Sequence, residues 1–410
     1  MFDKQTVQDV DVKNKIVLVR VDYNVPFGAD GEISDDYRVI AGLPTIEYLS
    51  EQGAKIILCS HLGRPKGVDP KLSLKPVFEL LKPLLAEKKI KCGFVDEVVG
   101  DKVKKASKDL KSGEVLLLEN LRFDEGEDKN STEFAETLKS DTGAEIFVQD
   151  GFGYCHRKSA TTEAITHLLP AVAGFLVEKE MNDLLAVITD PPKPFIAIVG
   201  GAKVSDKTPF LKKIINKADK IFIGGAMANA FLKFNGYETG LSMVDEGVES
   251  DIEEIYALAQ QKDEDGEVND FIVLPRDVVI ASEISNKTET IITEADSVYD
   301  QDYILDIGPE SRSMISSALK GAKTVFWNGT LGMTEYSKFA HGSNYVARHI
   351  GQADLTSVVC GGDTAGFVLN YMKKRDDLNF SLISTGGGAS LELLAGDKLI
   401  GVESLMKKEK

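Results

Sequence analysis

The stretch PFIAIVGGAKVSDKTPF, residues 194–210, sets the fold. An unbroken apolar run, Phe195 to Val199, ends in Gly200-Gly201, and Thr208-Pro209 then reads as a helix cap followed by a first-turn proline. A run without alternation is a strand covered on both faces, the habit of parallel sheets. Strand, glycine turn and helix start make one βα unit, and in open sheets of such units ligands sit outside the carboxyl ends of the strands. Lys203 and Lys207 fall at that edge. Lysines four apart are common on a solvated helix face, but their place behind a strand and a glycine pair favours phosphate. The familiar signatures do not apply. Asp206 precedes Lys207 where a Walker loop needs glycine, no GxGxxG follows a strand, and no H-R-D triplet is present.

Working outward, the same unit recurs. In the first half KIVLVRV (15–21), AKIILCS (54–60), EVLLLEN (114–120) and AEIFVQD (144–150) read as strands. IAGLPTIEYLSEQG (40–53), closed by Gly53, and SLKPVFELLKPLLAEK (73–88) read as helices. LVEKEMNDLLAVITD (176–190) is a helical pattern stopped by Pro191-Pro192-Lys193-Pro194, a domain boundary. The rhythm then restarts with FIAIVGG (195–201), KIFIGGAMA (220–228), DFIVLP (270–275), KTVFWNG (323–329), LTSVVCGGD (355–363) and FSLISTGGG (380–388). The expected fold is α/β: two Rossmann-like doubly wound domains, each with a mainly parallel β-sheet, joined by a hinge helix.

Strand after strand in the second half ends in glycine: Gly200-Gly201, Gly224-Gly225, Gly329, Gly361-Gly362 and Gly386-Gly387-Gly388. One such pair is an ordinary tight turn. Several in one domain point to a polyphosphate or nucleotide site, where backbone approaches ligand and helix N-termini face it. The first half instead concentrates arginine. Arg38, Arg64, Arg122 and Arg157 border strand ends or loops, in DDYRV, SHLGRP, ENLRF and GFGYCHR. Guanidinium suits bidentate carboxylate or phosphate recognition, so these four suggest an anion basket. Arg20 lies inside a strand pattern and reads as structural. Asp22 and Asn24 end the first strand in VRVDYNVP, and His61 and His156 accompany the arginines. Asp363, in CGGDTAG, suits both an N-cap and a metal-associated carboxylate beside phosphates.

The bulk numbers agree. The 410 residues, 43% of them hydrophobic, allow two cores. A formal charge of -17 and a pI near 4.9 disfavour nucleic-acid binding. The four cysteines are scattered, which predicts free thiols rather than a disulfide framework or zinc site. The start MFDKQTVQDVD has no apolar signal region and no run of 18 apolar residues occurs, so a cytoplasmic protein without membrane attachment is expected.

The ordered segments VRVDYNVP, SHLGRPKG, ENLRFDEGE, GFGYCHR, GFLVEKE, GGAKVSDK, LDIGPES, WNGTLGM, GGDTA and STGGGASLELL closely resemble the phosphoglycerate kinase family over essentially the whole chain. The resemblance implies Mg²⁺-dependent, reversible phosphoryl transfer between ATP and the carboxylate of 3-phosphoglycerate, giving 1,3-bisphosphoglycerate and ADP, by hinge-bending closure. It implies an N-terminal domain, 1–177, that binds 3-phosphoglycerate through Asp22, Asn24, Arg38, His61, Arg64, Arg122 and Arg157. It implies a nucleotide domain, 178–390 with the interdomain helix, and a C-terminal segment from about 391 to 410 packed back onto the first domain. Lys203 and Lys207 grip phosphates on this reading, and Gly201, Gly224 and Gly225 border adenine. Gly308, Asn328 and Glu335 complete the nucleotide site, with Glu335 on the ribose. Asp363, flanked by Gly361, Gly362 and Thr364, holds Mg²⁺. The helix N-termini at Gly362 and Gly386 join Arg38, Lys203 and Lys207 in catalysis. A monomer is implied.

Several positions differ from the usual family pattern: Gln149, Gly151, Tyr154, Cys155, Thr330, Leu331, Thr334 and Cys360. None removes a charged ligand group. A dehydrogenase on a Rossmann-like fold is the other enzymatic reading, set against the missing GxGxxG, and a two-domain anion-binding protein without catalysis is the non-enzymatic one.

Overall fold

The structure, a computed structural model, describes residues 2–28, 31–262, 268–373 and 375–408. Two compact units divide the chain, Met1–Asn182 with Lys398–Lys410, and Asp183–Asp397. The division falls within the helix Phe175–Thr189, which stops before Pro191.

The first unit is built on a six-stranded sheet of β1 (Ile16–Arg20), β2 (Lys55–Cys59), β3 (Cys92–Phe94), β4 (Val115–Leu117), β5 (Ile146–Gln149) and β6 (Ala171–Ala173), in the order β3-β4-β2-β1-β5-β6. Every pairing is parallel. Val17, Leu18 and Val19 are fully buried, as are Ile56, Ile57 and Leu58, because helices cover both faces and leave no polar side. Arg20 pairs with Cys59 on one side and Gln149 on the other, so three strands end level at one edge. The loops carrying Asp22, His61 and Arg157 therefore start side by side.

The single helix expected over 40–53 is two, Tyr37–Ala41 and Leu43–Glu51, meeting at Gly42. Pro44 is the cause: it lacks an amide and its ring collides with the carbonyl four residues back, so it sits in the first turn of a new helix. The C-terminal segment returns to this unit. Gln5 donates to the Met406 carbonyl (2.8 Å), Met406 to that of Ala171 (2.9 Å) and Gly401 to that of Cys155 (2.8 Å). The return starts at Lys398, since the helix Gly388–Ala395 packs on the helix Thr208–Ile215 of the second unit.

The second unit holds β7 (Phe195–Val199), β8 (Lys220–Ile223), β9 (Ile272–Val273), β10 (Asp277–Ala281), β11 (Ile291–Glu294), β12 (Tyr303–Ile307), β13 (Thr324–Asn328), β14 (Thr356–Cys360) and β15 (Leu382–Ile383). Six form a parallel sheet in the order β15-β14-β13-β7-β8-β9. Asn328 pairs with Val199 and Cys360, which again aligns strand ends at one edge. The sequence does not announce the separate antiparallel sheet, β11-β10-β12. Its outer strand β11 is largely exposed, so it lacks the continuous apolar run that marks the others.

Candidate functional site

In the first unit the strand-end loops are tied by hydrogen bonds between them. The buried carboxylate of Asp22 accepts from Arg38 Nη1 at 2.7 Å and from the Asn24 amide at 3.2 Å. Asn24 Oδ1 accepts from the Gly63 amide at 2.9 Å, and the Gly63 carbonyl accepts from Arg122 Nη1 at 2.6 Å. Gly63, at φ +62°, thus links the loops after β1, β2 and β4. Arg122 also donates to Asp128 (3.0 Å) and to the Tyr154 hydroxyl (3.2 Å). Arg64 and Arg157 are exposed, and neither guanidinium has a partner among the described residues. Arg38 keeps 27% of its side chain exposed. The basket thus presents positive charge that internal acids only partly neutralise.

Arg20 is wholly buried, against Glu127 at 3.1 Å and Thr161 at 2.8 Å, in keeping with its expected structural place. His61 is buried beside it, with Nδ1 at 2.9 Å from Arg20 Nη2. Burial first, then the charges of Arg20, Arg122 and Arg38 and of His156, hold the imidazole well below the ordinary histidine range. Asn120 carries no functional signal in the sequence, yet it is fully buried and fixes this loop cluster. Its Oδ1 accepts from Leu62 and Arg122 amides (both 3.1 Å), and its Nδ2 donates to the Leu62 and Leu72 carbonyls (both 2.8 Å).

In the second unit a cavity of about 450 Å³ opens at the strand ends. Gly201, Gly225, Glu335 and Asp363 line it, with an apolar wall that includes Leu241, Met243 and Leu331. The turns that carry two of its lining residues, Gly201 and Thr330, require glycine. A Cβ on Gly200 would stand 2.3 Å from the Thr330 carbonyl, and one on Gly329, at φ +93°, 2.1 Å from that of Gly200. Lys207 is buried beside Gly201 and donates to Asn328 Oδ1. Burial pulls its ammonium down to about 8, against the raising effect of Asp206, Cys360 and Asp363. Lys203 is exposed. Two helices that follow parallel strands, Gly362–Met372 and Gly388–Ala395, start without a side-chain cap, leaving amides for an anion. Thr208–Ile215 also lacks a side-chain cap, but its Thr208 amide bonds the Val204 carbonyl and Pro209 has none. The space over Gly362 and Gly387 is open, with nothing within 4 Å of an added Cβ.

Some local expectations change. Thr208 is not the cap: Lys207 holds that position, and the Thr208 hydroxyl donates back to the Val204 carbonyl at 3.1 Å. Asp363 does not cap either, because Gly361 precedes the helix and Asp363 lies exposed in its first turn, free for a ligand. Thr364 is buried and accepts from the Gly329 amide at 2.7 Å. Gly386 lies one residue before the cap, its amide bonded to Ser384 Oγ at 3.0 Å. Gly308 does not line the cavity; an added Cβ there would meet the Asp277 carboxylate at 2.2 Å. Gly224 is covered by Leu331, whose side chain would stand 2.5 Å from an added Cβ. Asp306 goes unmarked in the sequence, yet it is buried in the cavity wall, and burial raises its carboxyl to about 7. Its signal is faint, since an acid inside a strand pattern, YILDI, reads as an edge residue.

The profile of the Phosphoglycerate kinase family matches residues 7–397. The chain belongs to the phosphoglycerate kinase family. It is 46% identical to the Phosphoglycerate kinase of Moorella thermoacetica and 44% identical to that of Pseudothermotoga lettingae, each over 99% of this chain and 100% of the relative. Solved phosphoglycerate kinases from Coxiella burnetii (TM-score 0.81, 32% identity, 98% of both chains) and Pyrococcus horikoshii (TM-score 0.82, 30% identity, 99% of this chain and 98% of that one) share its fold. The chain is accordingly a phosphotransferase with a carboxyl acceptor, moving a phosphoryl group reversibly between ATP and 3-phosphoglycerate in glycolysis.

Proposed function

We propose that the first unit's basket binds 3-phosphoglycerate and the second unit's cavity binds the nucleotide, with the residues divided as the family motifs imply. The observation that supports this most is where positive charge goes. In a chain of net charge -17, unpaired or partly paired Arg38, Arg64, Arg157, Lys203 and Lys207 gather at the carboxyl ends of two parallel sheets. Asp22, Asn24, His61 and Arg122 complete the acceptor side. Glu335 meets the ribose, Gly201 and Gly225 the base, and Lys203 and Lys207 the phosphates.

The attacking group is a carboxylate, ionised at neutral pH, so no general base is needed. The chain's contribution is position and charge compensation. Arg38, the two lysines and the uncapped helix N-termini offset the charge of two anionic substrates and of the group in flight. Asp363 fits a Mg²⁺ role: an exposed carboxylate on the cavity, beside amides suited to phosphate, is the kind of single protein ligand that a nucleotide-borne Mg²⁺ takes. When bound, the ion neutralises phosphate charge.

Because donor and acceptor residues belong to different units, the reaction requires the units to be brought together with water excluded. The helix Phe175–Thr189, where the units divide, is the proposed hinge. A monomer working in the cytoplasm is the accompanying proposal; no described helix is long and apolar enough to cross a membrane. A coupled assay with 3-phosphoglycerate, ATP and Mg²⁺ tests the reading. Turnover that needs all three supports it, and binding of either substrate without transfer contradicts it.

A further inference from the structure

We propose that Arg20 is a positioning residue for the 3-phosphoglycerate basket: through Nη2 it holds His61 as the neutral tautomer that carries its proton on Nε2, the nitrogen that meets substrate. The proposal rests on the basket reading given above and goes beyond it by assigning a role to a residue that does not touch substrate.

A guanidinium has only donors and stays charged in proteins. At 2.9 Å from Arg20 Nη2, His61 Nδ1 must accept, so the ring proton resides on Nε2. His61 Nε2 makes no hydrogen bond among the described residues, which leaves that proton for a ligand. Arg20 is itself over-determined. Nη1 reaches Glu127 Oε1 at 3.1 Å and Thr161 Oγ1 at 2.8 Å, and its guanidinium carbon lies 4.5 Å from the centre of the Tyr154 ring. Glu127, also fully buried, is held by Ser159 Oγ (2.9 Å), Thr161 Oγ1 (2.7 Å) and the Thr161 amide (3.1 Å). Tyr154 packs against His61 from another side, ring centres 4.3 Å apart and planes tilted by 34°. The imidazole thus has a fixed plane, a fixed acceptor nitrogen and a fixed donor nitrogen.

Charge points the same way. Around His61 stand Arg20 from β1, Arg38 from the helix Tyr37–Ala41, Arg122 from the turn after β4, and His156 and Tyr154 from the turn after β5. The carboxylates of this network reach His61 only through other groups: Glu127 through Arg20, Asp22 through Arg38, and Asp128 through Arg122 and Tyr154. An imidazolium would meet three guanidinium charges and lose its acceptor nitrogen, so the ring stays neutral. A neutral Nε2–H donor can bind an anion without adding charge that would itself titrate near neutrality.

The experiment is long-range ¹H–¹⁵N correlation spectroscopy of the ¹⁵N-histidine-labelled chain, with His61 assigned by its disappearance in His61→Gln. Expected is a neutral ring, Nδ1 unprotonated and Nε2 protonated, unchanged over about pH 5.5 to 8, where a free histidine titrates. The opposite tautomer, or an imidazolium in that range, would overturn the proposal. 3-Phosphoglycerate should shift the Nε2 signal. A locked tautomer whose Nε2 signal ignores 3-phosphoglycerate would instead overturn the place of His61 in the basket.

Arg20→Met combined with Glu127→Gln, which leaves no lone buried charge, supplies the functional arm. In that variant His61 should titrate and populate both tautomers. KM for 3-phosphoglycerate should rise about tenfold, the loss of one hydrogen bond to a charged ligand, and become pH-dependent, while KM for ATP stays unchanged. A folded double variant with the wild-type tautomer and a pH-independent KM would show Arg20 to be structural only. If that variant does not fold, the spectrum of the wild-type chain still decides.

Discussion

Lys207, at the turn after β7, donates its ammonium proton to the side-chain oxygen of Asn328, at the end of the neighbouring strand β13. The pair is buried, and burial brings the Lys207 ammonium down to about 8 from the usual 10.5. Below that pH the lysine is charged and can grip phosphate; above it the free form is neutral. ATP affinity should therefore weaken between about pH 8 and 10. Calorimetry at stepped pH checks this. Lys207→Met should bind ATP weakly without that pH trend, and its turnover should fall by about two to three decades.

Gly329 and Gly200 touch backbone to backbone beneath the cavity. Gly329→Ala must abandon its φ of +93° and move a carbonyl 2.1 Å from the new methyl. A loss of roughly 1–3 kcal/mol in stability is expected from overpacking, with a raised KM for ATP. Urea unfolding and initial-rate kinetics measure the two effects.

Arg64 and Arg157 are exposed and have no internal partner among the described residues. Replacing either by alanine should change stability by no more than about 0.5 kcal/mol. KM for 3-phosphoglycerate should nonetheless rise several-fold, and more at low ionic strength, where exposed charges are least screened. Kinetics at two salt concentrations separate this from a structural effect.

Asp150, buried at the end of β5, has its carboxyl raised by burial from 3.8 to about 7. Between those values the folded chain keeps a proton that the unfolded chain has released. The stability this group contributes is complete below the unfolded value and is lost as pH rises through about 7. Asp150→Asn cannot titrate, so its stability should fall less between about pH 4 and 7 than that of the wild type. Urea midpoints across that range report the difference.

The parallel strands were legible because burial on both faces leaves a continuous apolar run, as in Phe195–Val199. The gathering of Arg38, Arg64, Arg122 and Arg157 at strand ends was legible because each follows or borders a strand-end or loop motif in the sequence. The rest depended on distance in space. Leu241 and Met243 form a cavity wall, but in sequence they look like any apolar loop residues. Asn120 and Glu127 matter through partners 58 and 107 residues away, Leu62 and Arg20, which no local pattern reports. Thr208 and Asp363 misled as caps because Lys207 and Gly361 end the preceding turns one or two residues earlier than cap chemistry suggests.

Arg38 offers the most direct test of the central claim, that cationic groups on two units serve one transfer. It belongs to the first unit, the proposed acceptor side, 2.7 Å from Asp22, and its hydrogen bonds run to Asp22 and Asn24 within that unit. Steady-state turnover of Arg38→Ala, measured beside its ATP affinity, separates the half-sites. Expected is wild-type ATP binding with kcat lowered by about two to three decades, the loss of one preorganised donor to the group in flight. Unimpaired turnover by Arg38→Ala would contradict it.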